Sequence, residues 1–173
     1  MDRLWTPWRM PYLTADKPSG CIFCQALAEG LDSSNLVVHR AERAFVMLNR
    51  YPYNNGHAMV VPNRHVGSLE LLQEAELLSI MQLVNLTLAG LRNLASPDGF
   101  NIGVNLGKAA GAGIEAHVHV HVVPRWQGDT NFMPILAHTR VIPESLTDTR
   151  SRLQGAIERV LAGQTGGECG RDG

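Results

Sequence analysis

Three histidines in strict alternation, within the segment His117–Val123, constrain this chain more than any other feature. Side chains along a β-strand point alternately to the two faces of the sheet, so His117, His119 and His121 share one face and the intervening valines share the other. A single histidine there would be an ordinary half-buried residue. Three in register indicate a site for catalysis or for metal binding, the roles to which imidazole is best suited.

The residue pattern around this segment predicts an antiparallel α+β domain. Short β-favouring runs bounded by turn residues predict five strands, the first two forming a hairpin: 35–40, 43–48, 57–61, 100–105 and 116–123. Apolar residues repeat at three- and four-residue steps over Gln73–Ala95 and predict one long helix, and Ser145–Leu161 predicts a C-terminal helix. The expected stripe of the long helix is Leu77, Ile80, Met81, Val84, Leu88 and Leu91.

A chain of 173 residues fits one domain of ordinary size. We expect an irregular arm over 1–20, which holds three prolines and two tryptophans, and a single domain over 21–161. The glycine-rich, polar segment 162–173 is expected to be a disordered tail. No internal repeat and no long linker divides the chain.

Composition restricts the partners and the compartment. The formal net charge of −1 provides no basic field for a nucleic-acid duplex. No apolar run approaches the ~18 residues of a membrane span, and Met1–Met10 lacks the apolar core of a secretory signal. Three cysteines do not suggest a disulfide framework. We therefore expect a cytoplasmic protein with neither a duplex nor a membrane as partner.

The pair Cys21 and Cys24 has the spacing of a zinc knuckle. A tetrahedral structural site needs two further ligands, which the pair alone does not identify. Two buried thiols without metal are the alternative, and a thioredoxin-like redox pair is disfavoured because no suitable βαβ pattern follows.

Taken together, four ordered segments resemble the histidine triad superfamily, and the resemblance spans roughly 21–126. They are the cysteine pair, the turn-Gly-His-strand-Pro segment, the strand before a glycine-rich loop, and the alternating histidines: Cys21–Cys24, Tyr51–Pro62, Phe100–Asn105 and His117–Val123. Leu4–Met10 and Val122–Met133 resemble a bacterial branch of this family that includes diadenosine tetraphosphate phosphorylases. The resemblance implies a HIT-like fold and a nucleotide substrate.

The resemblance also implies catalytic roles for three histidines. His119 would attack an α-phosphate and become nucleotidylated, and a neutral imidazole nitrogen is suited to this reaction near neutral pH. His121 would donate a hydrogen bond to the phosphate oxygens or leaving group, and His57 would orient the site and relay protons. The implied reaction cleaves dinucleoside polyphosphates such as diadenosine tetraphosphate, with phosphate or water as acceptor.

Further positions are implied to bind the nucleotide. Asn49 stands where many relatives carry an acidic residue that holds the ribose, while Asn105 and the backbone of Gly111 to Gly113 would meet phosphate oxygens. Gly113-Ile114-Glu115 replaces the Gln-Thr pair found before the triad in many relatives. An apolar slot for the base is expected, with the following candidates for its walls: Ile22, Phe23 and Phe45.

By the same resemblance, His65 and His117 complete a zinc site with the cysteine pair. In that arrangement zinc is structural and does not touch the substrate. Family members pair through the long helix and an edge strand, so we also expect a homodimer.

Other functions compete with this interpretation. The chain could hydrolyse adenosine phosphoramidates or other nucleotides, or bind a nucleotide as a sensor without turnover. A metal-dependent hydrolase would instead place the ion on His119 and His121, and the absence of Asp or Glu within the triad makes this the weakest hypothesis.

Overall fold

A five-stranded antiparallel sheet lies at the centre of the molecule. The computed structural model describes residues 20–129 and 144–165. The strands in chain order are β1 Val37–Arg40, β2 Ala44–Leu48, β3 Ala58–Pro62, β4 Gly99–Val104 and β5 Val120–Arg125. They are arranged β1-β2-β3-β5-β4, and every neighbouring pair is antiparallel. The predicted α+β sheet of about five strands, including its first hairpin, is confirmed.

Strand β5 begins later than predicted because of a proline on its neighbour. The last pair between β3 and β5 joins Val60 to Val120. Continuation would require an N–H from Pro62, which has none. Val118 instead donates its N–H to the Val66 carbonyl at 2.7 Å. The predicted start at Ala116 is therefore wrong by four residues, and the strand extends to Arg125.

Within the described residues, three α-helices pack on the sheet: α1 Ile22–Glu29, α2 Glu74–Ala95 and α3 Leu146–Thr165. The long helix α2 matches its prediction, and the Glu76 carboxylate accepts the Gln73 N–H at 2.7 Å at its start. Helix α3 continues four residues beyond the predicted end at Leu161. Of the predicted arm only residue 20 is described, and residues 166–173 of the predicted tail lie outside the described part.

One face of the sheet packs against α2 and α3. Val118, Val120 and Val122 lie in this core, as the alternation predicts. The buried stripe of α2 is rotated from the predicted one, since Leu77 and Met81 are exposed and Leu83, Thr87 and Gly90 are buried. A Cβ at Gly90 would lie 2.9 Å from Ile157, so α2 and α3 are in close contact there. The face of α2 that contains Gly90 is therefore the face that packs on α3.

Helix α1 covers part of the other face and was not predicted. Phe23 and Ala26 pack on the following side chains of β1, β2 and β3: Val37, Phe45, Met47, Met59 and Val61. The helix ends at Gly30, whose φ of 64° is the left-handed conformation that glycine favours at helix ends. On this same face, α1 leaves the β4–β5 side uncovered by any helix among residues 20–129 and 144–165. His121 is the triad histidine that is partly exposed, and it lines the cleft on this side.

Helix α2 is long and apolar enough, by length and composition alone, to cross a membrane. Its buried face packs on β2, β3, β5 and α3. The same composition is found in core helices of globular domains.

Candidate active site and metal-binding group

The four predicted metal ligands lie together at one end of the sheet. The donor atoms of Cys21, Cys24, His65 and His117 are all within 4.8 Å of one another. The cysteines flank the start of α1, His65 lies in the loop after β3, and His117 precedes β5. This group connects three segments that are distant in the sequence.

The geometry of this group fits a tetrahedral ion. The Nδ1 atom of His117 lies 3.3 Å from Sγ of Cys21 and 3.6 Å from Sγ of Cys24. Nδ1 of His65 lies 3.3 Å from Sγ of Cys24. Tetrahedral zinc would separate a sulfur and a nitrogen ligand by about 3.6 Å. Burial and the neighbouring Cys21 raise the pKa of the Cys24 thiol, which favours the neutral form. A bound cation would act in the opposite direction and favour the thiolate.

A backbone carbonyl holds the His117 ring in the tautomer and orientation that metal binding requires. Nε2 lies 2.9 Å from the Pro62 carbonyl oxygen. A carbonyl only accepts, so Nε2 carries the proton and Nδ1 keeps its lone pair toward the thiols. This is the outer-sphere hydrogen bond typical of a metal-bound histidine.

A second carbonyl fixes the ring of His119. Its Nδ1 lies 2.9 Å from the His117 carbonyl oxygen, so Nδ1 is the donor and Nε2 has the lone pair. The residue is 5% exposed. Burial lowers the pKa of His119, although the bond to the carbonyl opposes the shift. The ring is therefore neutral at pH 7, and the unprotonated Nε2 has a lone pair that can attack an electrophile.

The other two catalytic candidates, His57 and His121, are joined by a hydrogen bond whose donor can be assigned. The Tyr53 N–H donates to Nδ1 of His57 at 3.0 Å, so the His57 proton is on Nε2. Nε2 of His57 lies 3.0 Å from Nδ1 of His121 and donates to it. The proton of His121 must then be on its own Nε2. His119 and His121 have ring centroids 4.8 Å apart, so this N–H is close to the proposed nucleophile.

Burial controls the charge of His57. The side chain is 1% exposed. Burial first, and then the positive forms of His121 and His119, lower the pKa of His57 to about 3. His57 therefore stays neutral throughout the physiological range and can keep its single Nε2 proton directed at His121.

An open cleft of about 410 Å³ begins at His121. Asn105, predicted to bind the nucleotide, is in its lining. Gly111, with a φ of 82°, ends a short 3₁₀ turn in the glycine-rich loop, and Gly113 follows in the same loop. Asn49 lies at the end of β2 and its side-chain oxygen accepts the Tyr51 N–H at 2.8 Å. Contacts of these four residues with a nucleotide remain predictions.

The expected base slot is partly wrong. Phe23 and Phe45 are fully buried in the core beneath α1, whereas Ile22 is 37% exposed. Phe23 instead packs on the histidines, with its ring centroid 5.0 Å from that of His119. Only Ile22 remains accessible to a base.

Sequence reasoning missed two features of the site. Tyr53 stacks on His57 at 4.9 Å and an interplanar angle of 17°, and Arg125 forms an ion pair with Asp129 beside the cleft. The turn residues around Tyr53 gave no indication of stacking. Arg125 and Asp129 are four residues apart, but they are not on a helix. Their ion pair depends on the turn between them, which the sequence did not predict.

We expect the buried His57 to make the protein less stable in acid. The unfolded state binds a proton near the ordinary pKa of 6.5, while folded His57 does so only near pH 3. The contribution of His57 is complete above pH 6.5 and declines as the pH falls toward 3. Between pH 6.5 and 5 it amounts to about 2 kcal/mol of the free energy of unfolding.

Urea unfolding of the wild type and His57→Gln at pH 7, 6 and 5, at equal metal content, measures this effect. The variant should lose about 2 kcal/mol less than the wild type on acidification. Equal pH dependence of the two proteins would contradict the assignment of a depressed pKa to His57.

Comparison with known proteins agrees with this geometry. Residues 31–128 match the family model described as the HIT domain. The AP-4-A phosphorylase of Mycobacterium tuberculosis is 44% identical over 161 residues, which are 88% of this chain and 83% of that protein. The adenosine 5'-monophosphoramidase of Saccharomyces cerevisiae is 31% identical over 122 residues, which are 66% of this chain and 73% of that protein.

Solved structures share the fold. A Zn-bound histidine triad family protein from Mycobacterium smegmatis has a TM-score of 0.69 and 23% identity, covering 83% of this chain and 97% of that one. A hypothetical histidine triad nucleotide-binding protein from Sulfolobus tokodaii has a TM-score of 0.66 and 26% identity, covering 81% and 93%. Family model, sequence relatives and fold agree: the chain belongs to the HIT domain family.

Proposed function

We propose that this protein cleaves dinucleoside polyphosphates, such as diadenosine tetraphosphate, through a nucleotidylated His119. The observation that carries the proposal is the hydrogen bond from Nδ1 of His119 to the His117 carbonyl, which leaves Nε2 as the unprotonated nitrogen. The similarity to the M. tuberculosis AP-4-A phosphorylase over 88% of the chain supports the same substrate class.

The reaction follows from the protonation pattern. Nε2 of His119 attacks an α-phosphorus, the bond to the bridging oxygen breaks, and its electron pair leaves with the remaining phosphate chain. Attack by inorganic phosphate then breaks the P–N bond and returns the electron pair to Nε2. Diadenosine tetraphosphate would give ATP in the first step and ADP in the second. Water as acceptor would give AMP instead.

His57 and His121 supply a hydrogen bond fixed in advance. Because His57 donates to Nδ1 of His121, the His121 N–H is on Nε2 and can meet the phosphoryl oxygens or the leaving oxygen. Donors fixed before the reaction need no reorganisation as charge develops in the transition state.

Substitution of the nucleophile is the direct test. We expect His119→Ala to lower kcat at least about 1,000-fold, because the covalent route is lost. Brief reaction of the wild type with diadenosine tetraphosphate should give a chain heavier by one AMP in mass spectrometry. His39→Ala is the matched control, since His39 is on β1, away from the site. Equal turnover of His119→Ala and wild type, with no trapped adduct, would refute the mechanism.

The yeast relative favours a second substrate class. Its name describes a 5'-monophosphoramidase, and the same His119 chemistry would release an amine from adenosine phosphoramidate. The third hypothesis, a catalytic metal on His119 and His121, is not supported. Among the described residues, the group of side chains that could hold a metal ion contains His117 but neither of these two.

We also propose that the Cys21, Cys24, His65 and His117 group binds structural zinc. The ion would supply a cross-link between the start of α1, the loop after β3 and the segment entering β5. That cross-link would hold the His117 carbonyl, which orients His119. Thiolate ligands must stay reduced, which suits the cytoplasm that we propose as the compartment.

We expect one zinc ion per chain by elemental analysis. Chelation should lower the melting temperature, because the ion stabilises the folded state that binds it, and added zinc should restore it. Cys24→Ser should lose the ion, and Cys169→Ser is the matched control. Equal zinc content in both variants would contradict the assignment of ligands.

A symmetric dimer is proposed as the assembly. Strand β4 ends the sheet among the described residues. Apolar side chains on β4 and on α2 are exposed: Ile102, Leu77, Leu78 and Met81 at 48%, 40%, 60% and 53%. Such exposure is typical of an interaction surface.

Sedimentation velocity tests the assembly. Wild type should sediment as a dimer, and Leu78→Glu combined with Met81→Glu should give monomers, because two charges would be buried at the interface. Ser151→Glu, at an exposed position on α3, is the charge control. A monomeric wild type, or a dimer in the double variant, would contradict the proposed interface.

A further inference from the structure

The cleft beside His121 extends along the histidine face of β4 and β5. Gly103 pairs with His121 and Asn101 pairs with Val123, so Asn101 lies one two-residue step, roughly 7 Å, farther along the sheet. Arg125 comes two residues after Val123 and also lines the cleft. The cleft therefore joins His121 to an amide and a guanidinium.

The guanidinium of Arg125 has donors left over. Nε and Nη2 donate to Asp129 at 2.6 and 2.8 Å, and Nη1 donates to the Asn101 side-chain oxygen at 2.8 Å. These bonds use three of the five N–H groups of an arginine. The side chain is 42% exposed. Two N–H groups are thus available to a ligand in the cleft.

The same bond orients the amide of Asn101. Its oxygen accepts from Arg125, so its NH₂ group is the part presented to the surroundings. Asn101 is exposed. Among the bonds of the described residues, the Asn101 NH₂ group donates none, and it adds two donors beside those of Arg125.

Asp129 holds this arrangement without presenting its charge to the cleft. Its carboxylate accepts from Arg125, from the Asn54 side chain at 2.9 Å and from the Trp126 N–H at 3.3 Å. The carboxylate is 11% exposed. Hydrogen bonding to Asp129 raises the pKa of Arg125, so the guanidinium remains charged.

We infer that Asn101 and Arg125 form a phosphate subsite, which holds the leaving phosphate chain and then the inorganic phosphate that accepts the nucleotidyl group. The inference rests on the proposed function. Several N–H donors around an open cleft suit tetrahedral phosphate oxygens. The acceptor must approach the same face of the phosphorus that the leaving group vacates. A water molecule would require no such set of donors.

In the second step, an oxygen of inorganic phosphate bonds to the phosphorus on His119. The P–N bond breaks, its electron pair returns to Nε2, and a nucleoside diphosphate leaves. A phosphate bound at this subsite would compete with water, so the subsite determines the ratio of phosphorolysis to hydrolysis.

Steady-state kinetics with diadenosine tetraphosphate and varied inorganic phosphate test the inference. Asn101→Asp keeps the oxygen that Arg125 meets but replaces both donors with negative charge. We expect its KM for phosphate to rise at least tenfold, and the product ratio of AMP to ADP to rise with it. Asn101→Val, which removes the donors and the oxygen that Arg125 meets without adding charge, should shift both quantities in the same direction. Asn93→Asp, at an exposed position on α2 on the other side of the sheet, is the matched control.

Trapping of nucleotidylated His119 distinguishes a failure of the phosphate subsite from a failure of the proposed function. If the adduct forms but the KM for phosphate and the product ratio stay within twofold of wild type in both Asn101 variants, the phosphate subsite is overturned and the proposed function stands. If the wild type forms no adduct, the proposed function itself is overturned. A tenfold shift in both variants, absent in Asn93→Asp, supports the subsite.

Discussion

Backbone groups fix the protonation of the histidines, and the chemistry of the site depends on this. The Pro62 carbonyl takes the Nε2 proton of His117, the His117 carbonyl takes the Nδ1 proton of His119, and the Tyr53 N–H occupies Nδ1 of His57. Each ring thereby has one nitrogen committed to the backbone and the other assigned to a ligand, a substrate or His121. Free rings would populate both tautomers, and the reactive one would be present only part of the time.

Pro62 separates the proposed metal-binding role of His117 from the proposed catalytic role of His121. Because this residue has no N–H, the β3–β5 ladder ends at Val120, and the chain before it is held by the loop at Val66 instead. His117 is thereby placed with the cysteines, while His121 remains on the ladder beside His57. Neighbouring positions of one alternating segment can therefore serve two functions without competing for one ligand.

The sequence allowed much of this arrangement to be predicted, because alternation along a strand is a local property. It assigned the three histidines to one face, and the family resemblance supplied His65 for the metal group. Helix α1 was missed, since eight residues make little more than two helical turns and are too short to give a clear periodic signal. The buried stripe of α2 was misassigned because the close contact at Gly90 depends on α3, which lies more than fifty residues away in the sequence.

In the proposed reaction the triad cannot select the acceptor, since His119 and His121 would present the same nitrogen and the same N–H to an attacking water or phosphate. Selection must therefore come from groups outside the triad that recognise one acceptor. Water is small and abundant, so a site favours phosphate only by raising its local occupancy through several donors held in place. The bonds from Arg125 to Asp129 and Asn101 hold such donors next to His121. Arg125, at the end of β5, bonds to Asn101 on β4, and Asp129 bonds to Asn54 in the turn before β3. Contacts between such distant segments produce no periodic pattern in the sequence, so they could not be predicted from it.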